Sequence, residues 1–163
     1  MKILFLTTLL PFNTKSGGEV VSQLFIENLM EFGYSVDVLG YLRKSDKESN
    51  KPADMHLVKK IVIESSSSKL FVIYNIIKSY IYNQCYSAQK YTTRAYIKSI
   101  YHFLKNNDYE WIIIDHFQMG WVLKYLPPNI KIASIGHNME SDLYKQLAEN
   151  ADMRKVLRYI YKR

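Results

Sequence analysis

A single cysteine, Cys85, is present among 163 residues, so no internal disulfide can form and the framework of a small disulfide-stapled secreted domain is excluded. A lone thiol fits a reducing compartment. No Cys-x-x-Cys, His-Glu-x-x-His or Asp-x-Asp run occurs, so nothing in the sequence looks like a dedicated metal site. No Gly-x-Gly-x-x-Gly follows an apolar run, which argues against a dinucleotide dehydrogenase. No stretch approaches the ~20 consecutive apolar residues of a membrane span. The start, Met1-Lys2 followed by Ile3 to Leu10, imitates a signal peptide. No small-x-small cleavage site follows it, however, and Lys15 leads into a helical pattern, so a first strand is expected there.

What is present describes one globular domain. Hydrophobic residues make up 48% and charged residues 23%, and the length suffices to bury about two thirds of the unfolded surface. The net charge of +7 and a pI near 9.3 point to an anionic partner: nucleic acid, a phosphorylated small molecule or an acidic membrane surface. No nucleic-acid-binding motif accompanies the charge, and none is expected to be bound.

Apolar runs alternate with helical patterns. Lys2 to Thr8 has the length of a strand covered on both faces. A loop with Pro11, Ser16, Gly17 and Gly18 follows, and from Glu19 the period changes to that of a helix, with Val21, Phe25, Leu29 and Phe32 on one face and Gly33 as its stop. Tyr34 to Tyr41 reads as a second strand, completing a right-handed βαβ unit. Leu42 to Asp54 is a charged surface loop, Leu57 to Glu64 a third strand, and Ser65 to Ser68 a turn and helix cap. Trp111 to Asp115 is the fourth strand. A short helical piece over Met119 to Tyr125, the Pro127-Pro128 turn and a fifth strand over Ile130 to Ile135 follow. A further helix opens near Asn138, and the chain closes on a basic helix carrying Arg154, Lys155, Arg158, Lys162 and Arg163. The expected fold is α/β: a Rossmann-like, doubly wound parallel sheet with helices on both faces, formed by residues 1–163 as one domain.

Lys69 to Asn107 is helical, in two pieces broken around Asn83 to Ser87. It holds Lys69, Lys78, Lys90, Arg94, Lys98 and Lys105 with no Asp or Glu, six of the seven net positive charges, among Phe71, Tyr74, Tyr80, Tyr82, Tyr86, Tyr91, Tyr96, Tyr101 and Phe103. Rings interleaved with lysines suit a membrane interface. They equally suit a core-facing stripe backed by a solvated basic face, and the sequence does not separate the two.

In a parallel doubly wound sheet, ligands bind beyond the carboxyl ends of the strands. Three strand ends carry polar chemistry: Ser16-Gly17-Gly18-Glu19 after the first, Asp115-His116 after the fourth, and His137-Asn138 after the fifth. Singly these read as a turn, a strand-ending pair and a helix cap. Together they read as one rim, where glycine N–H groups ahead of a helix can meet phosphate and a carboxylate beside an imidazole can act as acid and base.

The run ILFLTTLLPFNTKSGGEVVSQLFIENLMEFGYSVDVL resembles the amino-terminal half of family 4 (group 1) retaining glycosyltransferases of the GT-B fold, with Gly33-Tyr34 where Gly-His is usual. HNMESDLYKQLAENADMRKVLRYIYKR resembles their His-Asn-Val-Glu-Ser segment. The resemblance implies a glycosyltransferase of cell-surface polysaccharide or glycolipid synthesis. Its acceptor-side domain would be represented here, without the carboxy-terminal domain that holds the nucleotide sugar, so the 163 residues alone are expected to be inactive. It implies His137 as the catalytic residue near the transferred sugar, with Gly17, Gly18, Glu19, Asp115, His116 and Asn138 binding substrate. No cofactor is implied beyond a nucleotide-diphosphate sugar as donor. Implied partners are that donor, a saccharide or lipid-linked acceptor, and the missing domain in cis or on a partner chain; the basic, aromatic segment 69–107 adds an anionic membrane surface at the cytoplasmic face as an expected partner. A sugar-nucleotide epimerase half and a non-catalytic Rossmann-like module docking onto a partner chain are the alternatives.

Overall fold

The computed structural model describes residues 1–62, 69–137 and Lys145. Five strands, β1 (Lys2–Leu9), β2 (Ser35–Arg43), β3 (Met55–Ile61), β4 (Trp111–Asp115) and β5 (Lys131–Ile135), form one sheet in the order β3-β2-β1-β4-β5. Every neighbouring pair is parallel. The chain steps outward from β1 to β2 and β3, then crosses back to β4 and β5, so the strand order reverses between β1 and β4. That reversal opens a crevice beyond the carboxyl ends of these two strands.

Helices lie on both faces, each over its own buried cluster. On one face α1 (Gly17–Glu31) brings Ile26 against Ile3, Phe5, Val36, Val38 and Ile113. On the other, α4 (Arg94–Asn106) and the 3₁₀-helix Phe117–Tyr125 bring Tyr96, Ile100, Met119 and Val122 against Leu4, Leu6, Leu39, Ile112 and Ile114. The alternation of β1 side chains between two covered faces explains why Ile3 to Leu6 is continuously apolar. Tyr96 ties α4 to the sheet: its buried hydroxyl lies 2.6 Å from the Leu39 carbonyl and 3.0 Å from that of Thr7.

Several expectations shift. β3 begins two residues earlier than the apolar run suggests, because Met55, buried, pairs with Val38; the expected end at Glu64 and the turn at Ser65 to Ser68 lie outside the described residues. Helix α1 does stop at Gly33, whose φ of 83° is the left-handed conformation of a helix terminus, with Tyr34 N–H donating back to the Leu29 carbonyl. Its buried face, however, is Glu19, Ser22 and Ile26 with Leu29 partly covered, while Val21, Phe25 and Phe32 are exposed. The helix is rolled because its first turn serves polar partners on the sheet rather than the core. The segment from 69 divides into α2 (Lys69–Ile81), α3 (Tyr86–Gln89) and α4. The expected core stripe belongs to α4, with Tyr96 and Ile100 buried one turn apart; among the described side chains of α2, residues 73–81, none joins either buried cluster. Among the described residues no helix is long and apolar enough to cross a membrane.

Candidate functional site

The crevice at the strand-order reversal gathers the first turn of α1, the end of β4 and the residue after β5. Ser16 caps α1, its hydroxyl accepting from the Glu19 N–H at 3.4 Å, which leaves the N–H groups of Gly17 and Gly18 without acceptors inside the helix. A Cβ added at Gly18 would lie 3.2 Å from His116 Cε1 and 3.9 Å from His137 Nδ1, whereas one at Gly17 would meet nothing within 4 Å. Gly18 is therefore the close-approach glycine of the pair. Both histidines face its backbone.

At the centre is Asp115, fully buried at the end of β4. Its Oδ2 accepts from Thr7 Oγ1 at 2.7 Å and Ser22 Oγ at 2.8 Å, and its Oδ1 lies 2.5 Å from His137 Nε2. A carboxylate only accepts, so His137 carries its proton on Nε2, and in the neutral ring Nδ1 is left as a lone-pair acceptor. That Nδ1 is buried and has no hydrogen-bond partner among the described residues. An orphaned buried polar atom costs free energy that a ligand hydroxyl or N–H can recover.

The His116 ring stacks on that of His137, with centroids 4.0 Å apart and planes at 22°. Burial holds the His116 imidazole below its ordinary value; Asp115 opposes this and the neighbouring His137 adds to it. His116 is thus neutral near pH 7. Its backbone sits at φ 68°, ψ 137°, a region that L residues occupy at a cost of about 1–3 kcal/mol and that clusters at functional sites. Asp115, His116 and His137 also bring donor atoms within 4.8 Å of one another, a spacing that could hold a metal ion. Both Asp115 oxygens are already engaged by hydrogen-bond donors, whereas His137 Nδ1 keeps its lone pair unpartnered.

Glu19, expected to meet substrate, is tied into an ion-pair network. Its carboxylate receives the Arg43 guanidinium, the Ser16 hydroxyl at 2.9 Å and the Lys15 N–H at 3.1 Å. Arg43 also reaches Asp46 at 3.5 Å, and Asp46 pairs with Lys15. Burial alone would raise the Glu19 carboxyl; Arg43, Ser16 and the Lys15 N–H outweigh it and hold the group below the ordinary carboxylate value. Asp46 is depressed in the same way, Lys15 and Arg43 overcoming its burial. This buried network fastens the loop before α1 to the loop after β2. Asn138 lies outside the described residues.

Thr7, Ser22 and Arg43 were not legible as site residues. The one hint is position: Thr7 lies near the carboxyl end of an apolar strand, and Ser22 lies one helical turn beyond Gly18. The common partner of Thr7 and Ser22, Asp115, is 108 and 93 residues away.

No family model matches the chain, and no curated protein matches it in sequence. Among solved structures, the sucrose-phosphate synthase of Thermosynechococcus elongatus shares its fold, with a TM-score of 0.55 at 12% identity over 99% of this chain. The chain spans 39% of that protein's length. The Rossmann-like α/β sheet of this chain is therefore one that also occurs as part of a larger sugar-phosphate-forming enzyme.

Proposed function

We propose that the chain is the acceptor-binding half of a sugar-nucleotide-dependent glycosyltransferase of the GT-B type, acting in cell-surface polysaccharide or glycolipid synthesis. The observation that carries the reading is the unpartnered Nδ1 of His137, held by buried Asp115 and facing the Gly18 backbone at the strand-order reversal. The fold shared with a sucrose-phosphate synthase supports it, as does the resemblance of the two sequence ends to family 4 enzymes. In this reading Gly17 and Gly18 N–H groups, at the positive end of α1, receive developing negative charge on the departing diphosphate. His137 Nδ1 accepts a hydrogen bond from a sugar hydroxyl. Asp115 fixes the ring through Nε2 and stabilises any positive charge it gains, and stacked His116 closes one side against water.

The nucleotide-sugar domain would be supplied in cis or by a partner chain, with no cofactor besides the sugar nucleotide. The setting is the cytoplasmic face of a membrane carrying the acceptor. The test is nuclear magnetic resonance titration of the 163-residue chain with saccharides and sugar nucleotides, beside a product assay. Saccharides should shift the Gly18 and His137 signals in the wild type but not in Gly18→Val, whose side chain would fill the slot 3.2 Å from His116. The product assay should find no transfer by the chain alone. Interconversion of sugar nucleotides without acceptor would establish the epimerase alternative, and transfer by the chain alone would refute the half-site reading.

A further inference from the structure

Over its described side chains, residues 73–81, helix α2 is built inside out. Its buried positions include Asn75 and Ser79, one turn apart, while Ile73, Tyr74, Ile77, Tyr80 and Ile81 are 52–67% exposed. Spacings of one, four, seven and eight residues place those five on a single stripe about two turns long. Tyr82, 65% exposed, extends the stripe past the helix end. Monomeric soluble proteins seldom leave so contiguous an apolar stripe to water. Lys78 flanks it, its ammonium 5.2 Å from the Tyr74 ring centroid. No acidic residue occurs between Glu64 and Asp108, so the cations of this region have no carboxylate of their own segment.

The location matters as much as the composition. β3 ends at Ile61 on the carboxyl edge, and α4 begins there too: its capping Thr93 hydroxyl lies 2.7 Å from that of Tyr41, near the end of β2. Between them, the α2–α3 excursion leaves from and returns to the edge that carries Gly18 and His137. Helix α3 packs against the 3₁₀-helix that follows His116.

We propose that α2 docks the protein on an anionic bilayer surface. Ile73, Ile77 and Ile81 enter the boundary of the acyl chains, the Tyr74 and Tyr80 rings lie at headgroup level, and Lys78 meets lipid phosphate. A protein-binding face is an inferior match, since interface cores are depleted in lysine and the charge of this region has one sign. The inference stands apart from sugar transfer, because vesicle binding and sugar chemistry are measured separately. It does supply what a membrane-borne acceptor would need: a surface contact on the same edge as the site.

The experiment is co-sedimentation of the 163-residue chain with vesicles of phosphatidylglycerol and phosphatidylcholine, and of phosphatidylcholine alone, across a salt series. The wild type should bind the anionic vesicles at low salt and release progressively as salt rises. Ile73→Ser/Ile77→Ser should lower partitioning at least about tenfold. Val21→Ser/Phe25→Ser, which removes exposed apolar groups from α1 instead, should leave it within about twofold. As a gain-of-signal measure, Ile77→Trp should add fluorescence that shifts to the blue on anionic vesicles. Failure to bind anionic vesicles at low salt, wild-type binding by the α2 double variant, or no blue shift at position 77 would overturn the proposal. So would a lipid-free dimer that the α2 double variant abolishes, since the stripe would then be covered by a second copy.

Discussion

Removing the Asp115 side chain tests the arrangement at its centre. In Asp115→Ala three donors lose their acceptor, but they do not lose equally. The Thr7 hydroxyl has the Leu9 carbonyl at 3.2 Å and the Ser22 hydroxyl has the Gly18 carbonyl at 2.9 Å, so both can turn to acceptors already in place. His137 Nε2–H has no second acceptor among the described residues, and an orphaned buried N–H costs about 1–3 kcal/mol. Adding the small cavity left by the carboxyl group gives about 2–4 kcal/mol for the alanine variant. Asp115→Asn is the informative companion. Its Oδ1 can still accept from His137, and its amide can donate to the two hydroxyls once they have turned, so only charge assistance is lost, about 1 kcal/mol. Urea denaturation of the 163-residue chain gives both differences, and nitrogen-15 spectra of the histidine rings report the tautomer. Asn should keep the proton on His137 Nε2 and retain saccharide binding in part; Ala should free the ring and lose binding. An alanine variant as stable as the wild type, with unchanged His137 signals, would refute the reasoning.

The ion-pair network and the strained backbone give two further expectations. Arg43→Met should cost about 3–5 kcal/mol by leaving the Glu19 carboxylate buried and unpaired, while Arg43→Met/Glu19→Leu should recover most of that loss. Because the Glu19 and Asp46 carboxyls are held below their ordinary values, their stabilisation is complete above ~pH 5 and fades as pH falls through ~4 towards the folded values; urea midpoints at stepped pH should show this acid limb in the wild type and a smaller one in the double variant, where Asp46 keeps Lys15. His116→Gly should be more stable than His116→Ala by roughly 1 kcal/mol, since only glycine relieves the positive φ, and equal urea midpoints for the two would remove strain from the account.

The parts legible in the sequence were those fixed by short-range pattern. The apolar run at Ile3 to Leu6 announces a strand covered on both faces, Gly33 a helix stop, and alternating strands and helices a parallel sheet. Parallel topology then puts every strand's carboxyl end on one edge, so Gly18, Asp115, His116 and His137 could be assigned to one rim without coordinates. What stayed hidden depends on long-range pairing. Ser22 looks like a solvent-facing helix residue until Asp115, 93 positions later, is brought under it. The same contact rolls α1 so that Ile26 is buried and Phe25 exposed. Periodicity locates a stripe but does not say which side of it meets the core, and for this reason α4 follows the ordinary rule while α2 reverses it.

The first turn of α1 thus divides its polar groups between two tasks. Glu19, with Arg43, Asp46 and Lys15, fixes the loop that leads into the helix; Gly18 and Ser22, with Asp115 and His137, present unpaired donors and one unpaired acceptor to the crevice. The ion pair is what keeps Gly17 and Gly18 in position, so Arg43→Met disturbs binding only as far as it loosens the loop. His137→Gln, in contrast, should leave the fold in place and act on binding alone, because Nε2 of glutamine can still donate to Asp115 while the ring and its Nδ1 lone pair give way to an amide oxygen in a different place. The two substitutions therefore separate anchoring from chemistry. If Arg43→Met in a folded protein abolished saccharide binding as fully as His137→Gln, the division of tasks would be wrong, and the Glu19 side of the turn would belong to the site as well.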